Sequence, residues 1–226
     1  MAYIGKRMKE ANKSVDVDTT YTLEEALDKI GKFPKTKFDE TVELHLHLGI
    51  NPKNSDQIVR GTVALPNGTG KKVRIACFCK GEAEAKAKEA GADFVGSDEL
   101  IEKVSKGFLD FDVVVATPDM MRDISKLGRV LGPRGLMPTP KAGTVTPDVA
   151  KAIAEVKAGK IEFKSDKQAG VHVGLGKRSF SKEQLSQNIQ EVMDAINAAK
   201  PRSLKGHYIK RASLSTTMGA GVKVAL

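Results

Sequence analysis

Apolar and polar side chains alternate along Val42-Glu43-Leu44-His45-Leu46-His47-Leu48. A period of two predicts a strand with one buried face. Residues 58–65 (IVRGTVAL) predict a second strand, and Pro66–Gly70 (PNGTG) a turn or hinge. Upstream, residues 22–30 read as a helix. Thr22 and Glu25 have capping-box spacing, Leu23, Ala26, Leu27 and Ile30 share a face, and Gly31 supplies a stop. The pattern changes after residue 71. Runs 72–79, 92–95 and 111–118 are mostly apolar rather than alternating, and helical stretches 82–91, 98–107, 118–131 and 146–159 separate or follow them. Such strands predict a parallel sheet covered on both faces. Beyond Gly159 the first pattern returns. Residues 161–166 and 170–175 flank a short polar turn, which suggests a hairpin. Residues 182–199 form a helix with a Ser181/Gln184 capping box, a Phe180/Leu185 staple and a stripe of Leu185, Ile189, Val192 and Ile196. Residues 207–215 are a last long strand, residues 216–221 (TTMGAG) a glycine-rich corner, and VKVAL follows.

Composition narrows the class. The 226 residues, 40% hydrophobic and 29% charged, suit one large folded domain or two small ones. No apolar run reaches the ~18–20 residues of a bilayer span. The first eighteen residues lack a secretory apolar core, and Glu10, Asp16 and Asp18 argue against a transit peptide, so the expected compartment is the cytoplasm. Cys77 and Cys79 cannot make a disulfide framework. The net charge of +9 favours a polyanionic partner. Residues 66–159 hold 15 basic and 13 acidic side chains, whereas the two flanks together hold 22 and 15. The excess therefore sits at both chain ends, as in a basic domain built from the termini with a near-neutral domain inserted. Aromatics are only 5%, with no Trp, so an RNA partner would be recognised by shape, phosphate and backbone contacts.

Most candidate motifs have plain structural readings. The Gly/Pro-rich segment 127–147 carries Arg129, Arg134 and Lys141, but matches neither the Walker spacing nor the dinucleotide fingerprint. Gly174-Leu175-Gly176-Lys177 resembles the end of a phosphate loop, but Val171 and Arg178 occupy the diagnostic positions. Cys77 and Cys79 face one side of a strand without a His or Cys partner pair, which reads as buried thiols. His45 and His47 share a strand face, read as solvated or RNA-facing rather than metal-binding. No nucleophile motif is present and Glu24/Glu25 do not face each other, so catalysis, metal and cofactor are not expected. The alternatives to RNA binding are a nucleotide-dependent enzyme using the middle domain and a purely structural scaffold. Two segments remain: KTKFDETVE (35–43) and STTMGAGV (215–222). Hydroxyls, bare amides and a Lys beside a Phe suit contacts to sugar 2′-hydroxyls and phosphates.

TKFDETVELHLHLGINPKNSDQIVRGTVALPNGTGK, LGRVLGPRGLMPTPKAGTV and STTMGAGV together resemble the bacterial large-subunit ribosomal protein L-one family, the stalk protein near the tRNA exit site. The resemblance runs the whole length. It implies α/β and α+β architecture in two domains. The first is a split RNA-binding α+β domain (1–66 and 160–226), and the second an inserted Rossmann-like three-layer α/β domain (67–159). It implies a non-enzymatic, cytoplasmic, ribosome-bound protein, monomeric when free and without a membrane partner. Its expected partners are large-subunit rRNA, exit-site tRNA and its own operon mRNA. Carried over by motif, the implied RNA contacts are Lys37, Phe38, Thr41, Glu43, Lys164, Lys167, Thr216, Thr217, Met218 and Gly219. Ala220 and Gly221 stand where some family members have a proline and a small polar residue. The inserted domain is expected to turn on hinges near Pro66–Gly70 and Ala158–Lys160.

Overall fold

The structure is a computed structural model that describes residues 5–16 and 19–225; Asp18 and Leu226 lie outside the described residues. In chain order the elements are α1 (Lys6–Ser14), α2 (Leu23–Lys32), β1 (Thr41–Leu48), β2 (Arg60–Ala64), β3 (Ile75–Phe78), α3 (Glu82–Glu89), β4 (Phe94–Gly96), α4 (Asp98–Ser105), β5 (Val113–Ala116), the single turns α5 (Met121–Ile124) and α6 (Gly128–Leu131), α7 (Val149–Lys157), β6 (Lys160–Lys164), β7 (Gly170–Lys177), α8 (Lys182–Ala198), β8 (Ile209–Thr216) and β9 (Val222–Val224). The fold is mixed α/β and α+β. It divides into two compact units, Met1–Lys71 with Ile161–Leu226, and Lys72–Lys160.

The unit built from both chain ends holds a four-stranded antiparallel sheet in the order β7-β1-β8-β9. Strand β1 is central because its alternation buries Val42, Leu44, Leu46 and Leu48. It pairs with β7 on one side and β8 on the other. Beneath that face, Ala26, Leu27 and Ile30 of α2 and Leu185, Ile189, Val192 and Ile196 of α8 complete one core. Both expected capping boxes form: Thr22 accepts from the Glu25 N–H and Ser181 from the Gln184 N–H, with reciprocal side-chain bonds. Gly31, expected to stop α2, lies inside it; the helix ends at Phe33, whose extended backbone (φ −60°, ψ 149°) is what Pro34 requires.

The expected 161–175 hairpin is corrected. A tight turn is present, with the Asp166 carboxylate accepting from the Gln168 and Gly170 N–H groups and Ala169 at φ 63°. Its two arms, however, join different sheets: β7 pairs with β1, whereas β6 pairs with β2. The reason is the buried ring of Phe163. A Cβ at Gly61 would come within 2.7 Å of it, so only a strand lacking a side chain there can lie against β6. Helix α1 was not expected. Its apolar positions are few, Met8 and Ala11 with Val15 at the C-cap, and they are scattered through a mostly charged segment.

The second unit, Lys72–Lys160, has a parallel sheet in the order β4-β3-β5. Ala76 and Phe78 face Leu100, Val104, Ile124 and Leu131 on one side. Ile75, Cys77 and Cys79 face Ala87, Val149 and Ile153 on the other. This unit therefore has three layers. The helix expected over 118–131 is broken into short turns, with α6 ending at Gly132. The Gly/Pro segment that follows is a connector. Val145 lies beside Ala116 in a parallel bridge, and Thr144 closes a bend by bonding Thr139. Cys77 and Cys79 are buried with sulfurs 3.7 Å apart, and desolvation raises both thiol pKa values, which leaves them unreactive.

Candidate nucleic-acid interface

The start of β1 and the end of β8 meet at one corner of the four-stranded sheet. The Thr41 N–H donates to Thr217 Oγ1 at 2.9 Å, and the Thr217 N–H donates to the Thr41 carbonyl at 3.1 Å. The Gly219 N–H returns to the Thr216 carbonyl at 3.0 Å, closing the turn that carries Met218 outward. Met218 is 48% exposed. A Cβ at Gly219 would collide with Thr216 Oγ1 and sit 2.9 Å from the Phe33 ring. This glycine is therefore required by close approach rather than by a positive φ.

Phe38, 54% exposed, stands on the loop leading into β1. The loop is pinned at both ends. The Arg178 guanidinium donates to the carbonyls of Gly31, Phe33 and Pro34 on its N-terminal side. On its C-terminal side the Asp39 carboxylate accepts from the Ser179 N–H and hydroxyl, and the Glu40 carbonyl accepts from the Arg178 N–H. Between the pins, Lys35, Lys37 and Phe38 are exposed.

The structure thus brings Thr41, Glu43, Thr217, Met218 and Gly219 into contact or adjacent register, with Lys37 and Phe38 just upstream; Glu43 lies opposite Ser215. Thr216 differs. Its side chain is 3% exposed and its hydroxyl donates to Glu40 Oε1 at 3.4 Å, so it supports the corner from within. Lys164 and Lys167 are exposed, but they flank the Asp166 turn at the other end of β1, where His47 pairs with Gly170. At about 3.3 Å per residue, the strand separates them from the corner by roughly 23 Å.

The open sheet face between these ends is polar: Glu43, His45 and His47 on β1, His172 on β7, Arg211, Ser213 and Ser215 on β8, and Lys223 on β9. His45 Nδ1 lies 2.8 Å from His172 Nδ1, and His45 Nε2 lies 2.8 Å from Ser215 Oγ. Burial and then His172 push the His45 pKa below the ordinary imidazole range, with Glu43 opposing. His172, Ser213 and Arg211 escaped the sequence reading because each joins this face only once β1 has both neighbours, whereas Ser215 opens the segment 215–222. The Gly174 and Gly176 of the phosphate-loop-like motif lie in β7. A Cβ at Gly176 would press on Phe180, so that glycine serves packing. Among the described residues no group of three His, Cys, Asp or Glu side chains is placed to hold a metal ion, and no helix is long and apolar enough to cross a membrane.

Comparison with known proteins gives consistent matches. The sequence model of the Ribosomal protein L1p/L10e family matches residues 30–220. The chain is 58% identical over 221 residues to the large ribosomal subunit protein uL1 of Protochlamydia amoebophila, covering 98% of this chain and 94% of that one. It is 56% identical over 224 residues to the large ribosomal subunit protein uL1 of Solidesulfovibrio magneticus, covering 99% and 95%.

Proposed function

Because the chain belongs to the Ribosomal protein L1p/L10e family, whose members are structural rather than catalytic, we propose that it is a constituent of the large ribosomal subunit that docks on rRNA through the Thr41–Thr217 corner. The observation that carries this reading is the exposure of Phe38 and Met218 on segments fixed by hydrogen bonds. Two large apolar side chains held out to solvent on a rigid, basic and hydroxyl-rich support form a recognition surface, not a core. In this reading the docked RNA is the mobile stalk beside the tRNA exit site. The protein then assists the release of deacylated tRNA, and binds the leader of its own operon mRNA to repress translation. Rossmann-like layering in the Lys72–Lys160 unit suits the inserted domain of that family. Cytoplasmic, ribosome-bound localisation follows from the same reading.

The test is binding to large-subunit rRNA fragments tiled along the molecule. One fragment is expected to bind tightly. Thr217→Ala and Met218→Asp are expected to weaken it about tenfold or more, while Lys86→Ala in the other unit leaves it unchanged. Equal effects of all three would remove the corner from the site, and absence of a binding fragment would remove the RNA reading. A reporter behind the operon leader, repressed by the wild type but not by Thr217→Ala, checks that one surface serves both RNAs.

A further inference from the structure

Glu40 immediately precedes β1 and is 1% exposed. Isolated buried carboxylates are costly, so its partners define its purpose. Arg178 Nη1 donates to Oε2 at 2.8 Å, and the Arg178 side chain is itself only 13% exposed. The other oxygen, Oε1, accepts from the Met218 N–H at 3.1 Å and from the Thr216 hydroxyl at 3.4 Å, with Arg7 3.9 Å away. One carboxylate therefore holds the backbone of the exposed methionine on one side and a largely enclosed arginine on the other. That arginine also gathers the carbonyls of Gly31, Phe33 and Pro34, which lead into the Phe38 loop.

We propose that Glu40 and Arg178 are positioning residues for RNA docking: an internal clamp that locks the Lys35–Phe38 loop and the Thr217–Gly219 turn in one mutual arrangement. The inference rests on the RNA-binding reading of the corner. Glu40 is enclosed, and Arg178, although it borders the open pocket beside Phe38, has its guanidinium engaged by Glu40 and three carbonyls. Both act by removing freedom from segments that must otherwise be ordered when RNA arrives, which costs affinity. The geometry specifies the roles. Only a carboxylate can accept from Met218 N–H, Thr216 and a guanidinium at once, and only a planar fork can serve one carboxylate and three carbonyls. Lysine at 178 retains the charge but not the fork. Glutamine at 40 retains the shape, but its single oxygen cannot serve both sides and its amide NH2 points at a donor.

The experiment measures RNA affinity of the full chain together with the NMR signals of the Met218 amide and methyl group, using Glu40→Gln, Arg178→Lys and Thr217→Ala. Glu40→Gln and Arg178→Lys are each expected to lower affinity about tenfold. Both are also expected to shift or broaden the Met218 signals while the core methyls of Leu44 and Leu214 stay in place. Wild-type affinity and unmoved Met218 signals in Glu40→Gln overturn the clamp, provided that variant is folded. If Glu40→Gln unfolds, Arg178→Lys decides by the same two readouts. Loss of affinity in Arg178→Lys without any change at Met218 also overturns it. Thr217→Ala separates the layers: if it binds RNA normally, the corner reading has failed; if it alone loses binding, only the clamp has.

Discussion

The corner depends on atoms that have no slack. Gly219 is the clearest case, because a methyl group there meets Thr216 Oγ1 and the Phe33 ring. Gly219→Ala is expected to destabilise by about 1–3 kcal/mol through overpacking and to displace Met218. Thermal unfolding and RNA binding measured on one preparation check both effects. A second residue-scale consequence concerns protons. His45 is held below its ordinary pKa by burial and by His172, so the folded chain binds fewer protons than the unfolded one around pH 6. The stability it contributes is present above about pH 6.5, the unfolded value, and is lost as pH falls through the lower folded value. The melting temperature is expected to drop between about pH 7.5 and 5.5, and His45→Gln is expected to flatten that slope; an unchanged slope would assign the acid sensitivity elsewhere. The facing groups are Glu43 on the same strand, His172 with Asp166 behind it, and Ser215. Residue-level chemistry was unevenly legible. Phe38, Thr217, Met218 and Gly219 stand in segments whose composition drew notice. Glu40 stands in the same segment as Phe38 and Arg178 follows the glycine-rich motif of β7, yet neither was given a role, because each is one charge among many until the fold joins positions 138 apart.

Elements with strong local signals formed where their patterns placed them. Strand β1 has strict alternation, and α2 and α8 have capping boxes and apolar stripes. Elements defined by partners did not follow from the sequence. The polar turn at Asp166–Gly170 looked like a hairpin because its local bonds are those of one, yet the strand on either side is chosen by packing: β6 by the Gly61–Phe163 fit, β7 by the long register with β1. Helix α1 turns Met8, Ala11 and the C-cap Val15 to the core, a short stripe diluted by the charged residues around it. Among these elements α8 is the longest helix and supports β1 from below, so its cap is a sensitive point. Ser181→Ala removes the acceptor for the Gln184 N–H and is expected to cost about 1 kcal/mol, read as a melting temperature lowered by about 3–5 °C. RNA affinity measured well below the melting temperature is expected to stay unchanged, because α8 supplies no residue of the corner.

At the scale of the molecule, charge and architecture agree. The flanks that carry the basic excess form one unit with its own core, and the near-neutral middle forms another with two cores on the faces of its sheet. If phosphate neutralisation drives docking, log affinity falls linearly with log salt. Raising salt from about 0.1 to about 0.2 M is expected to weaken binding roughly five- to tenfold for about three or four neutralised phosphates. A nearly flat dependence, measured by filter binding, would leave shape and apolar contact as the only forces. The placement of β1 between β7 and β8 also has a consequence in time. During translation the middle unit is complete before β7, α8 and β8 are made, so until then β1 lacks both neighbouring strands and has only α2 of its two covering helices. A fragment terminated before Ile209 lacks the strand β8, which lies between β1 and β9, and the bend proposed to dock RNA. On the proposed reading, prematurely released chains could not compete for the nucleic acid, and a feedback that reads this surface would count only finished molecules.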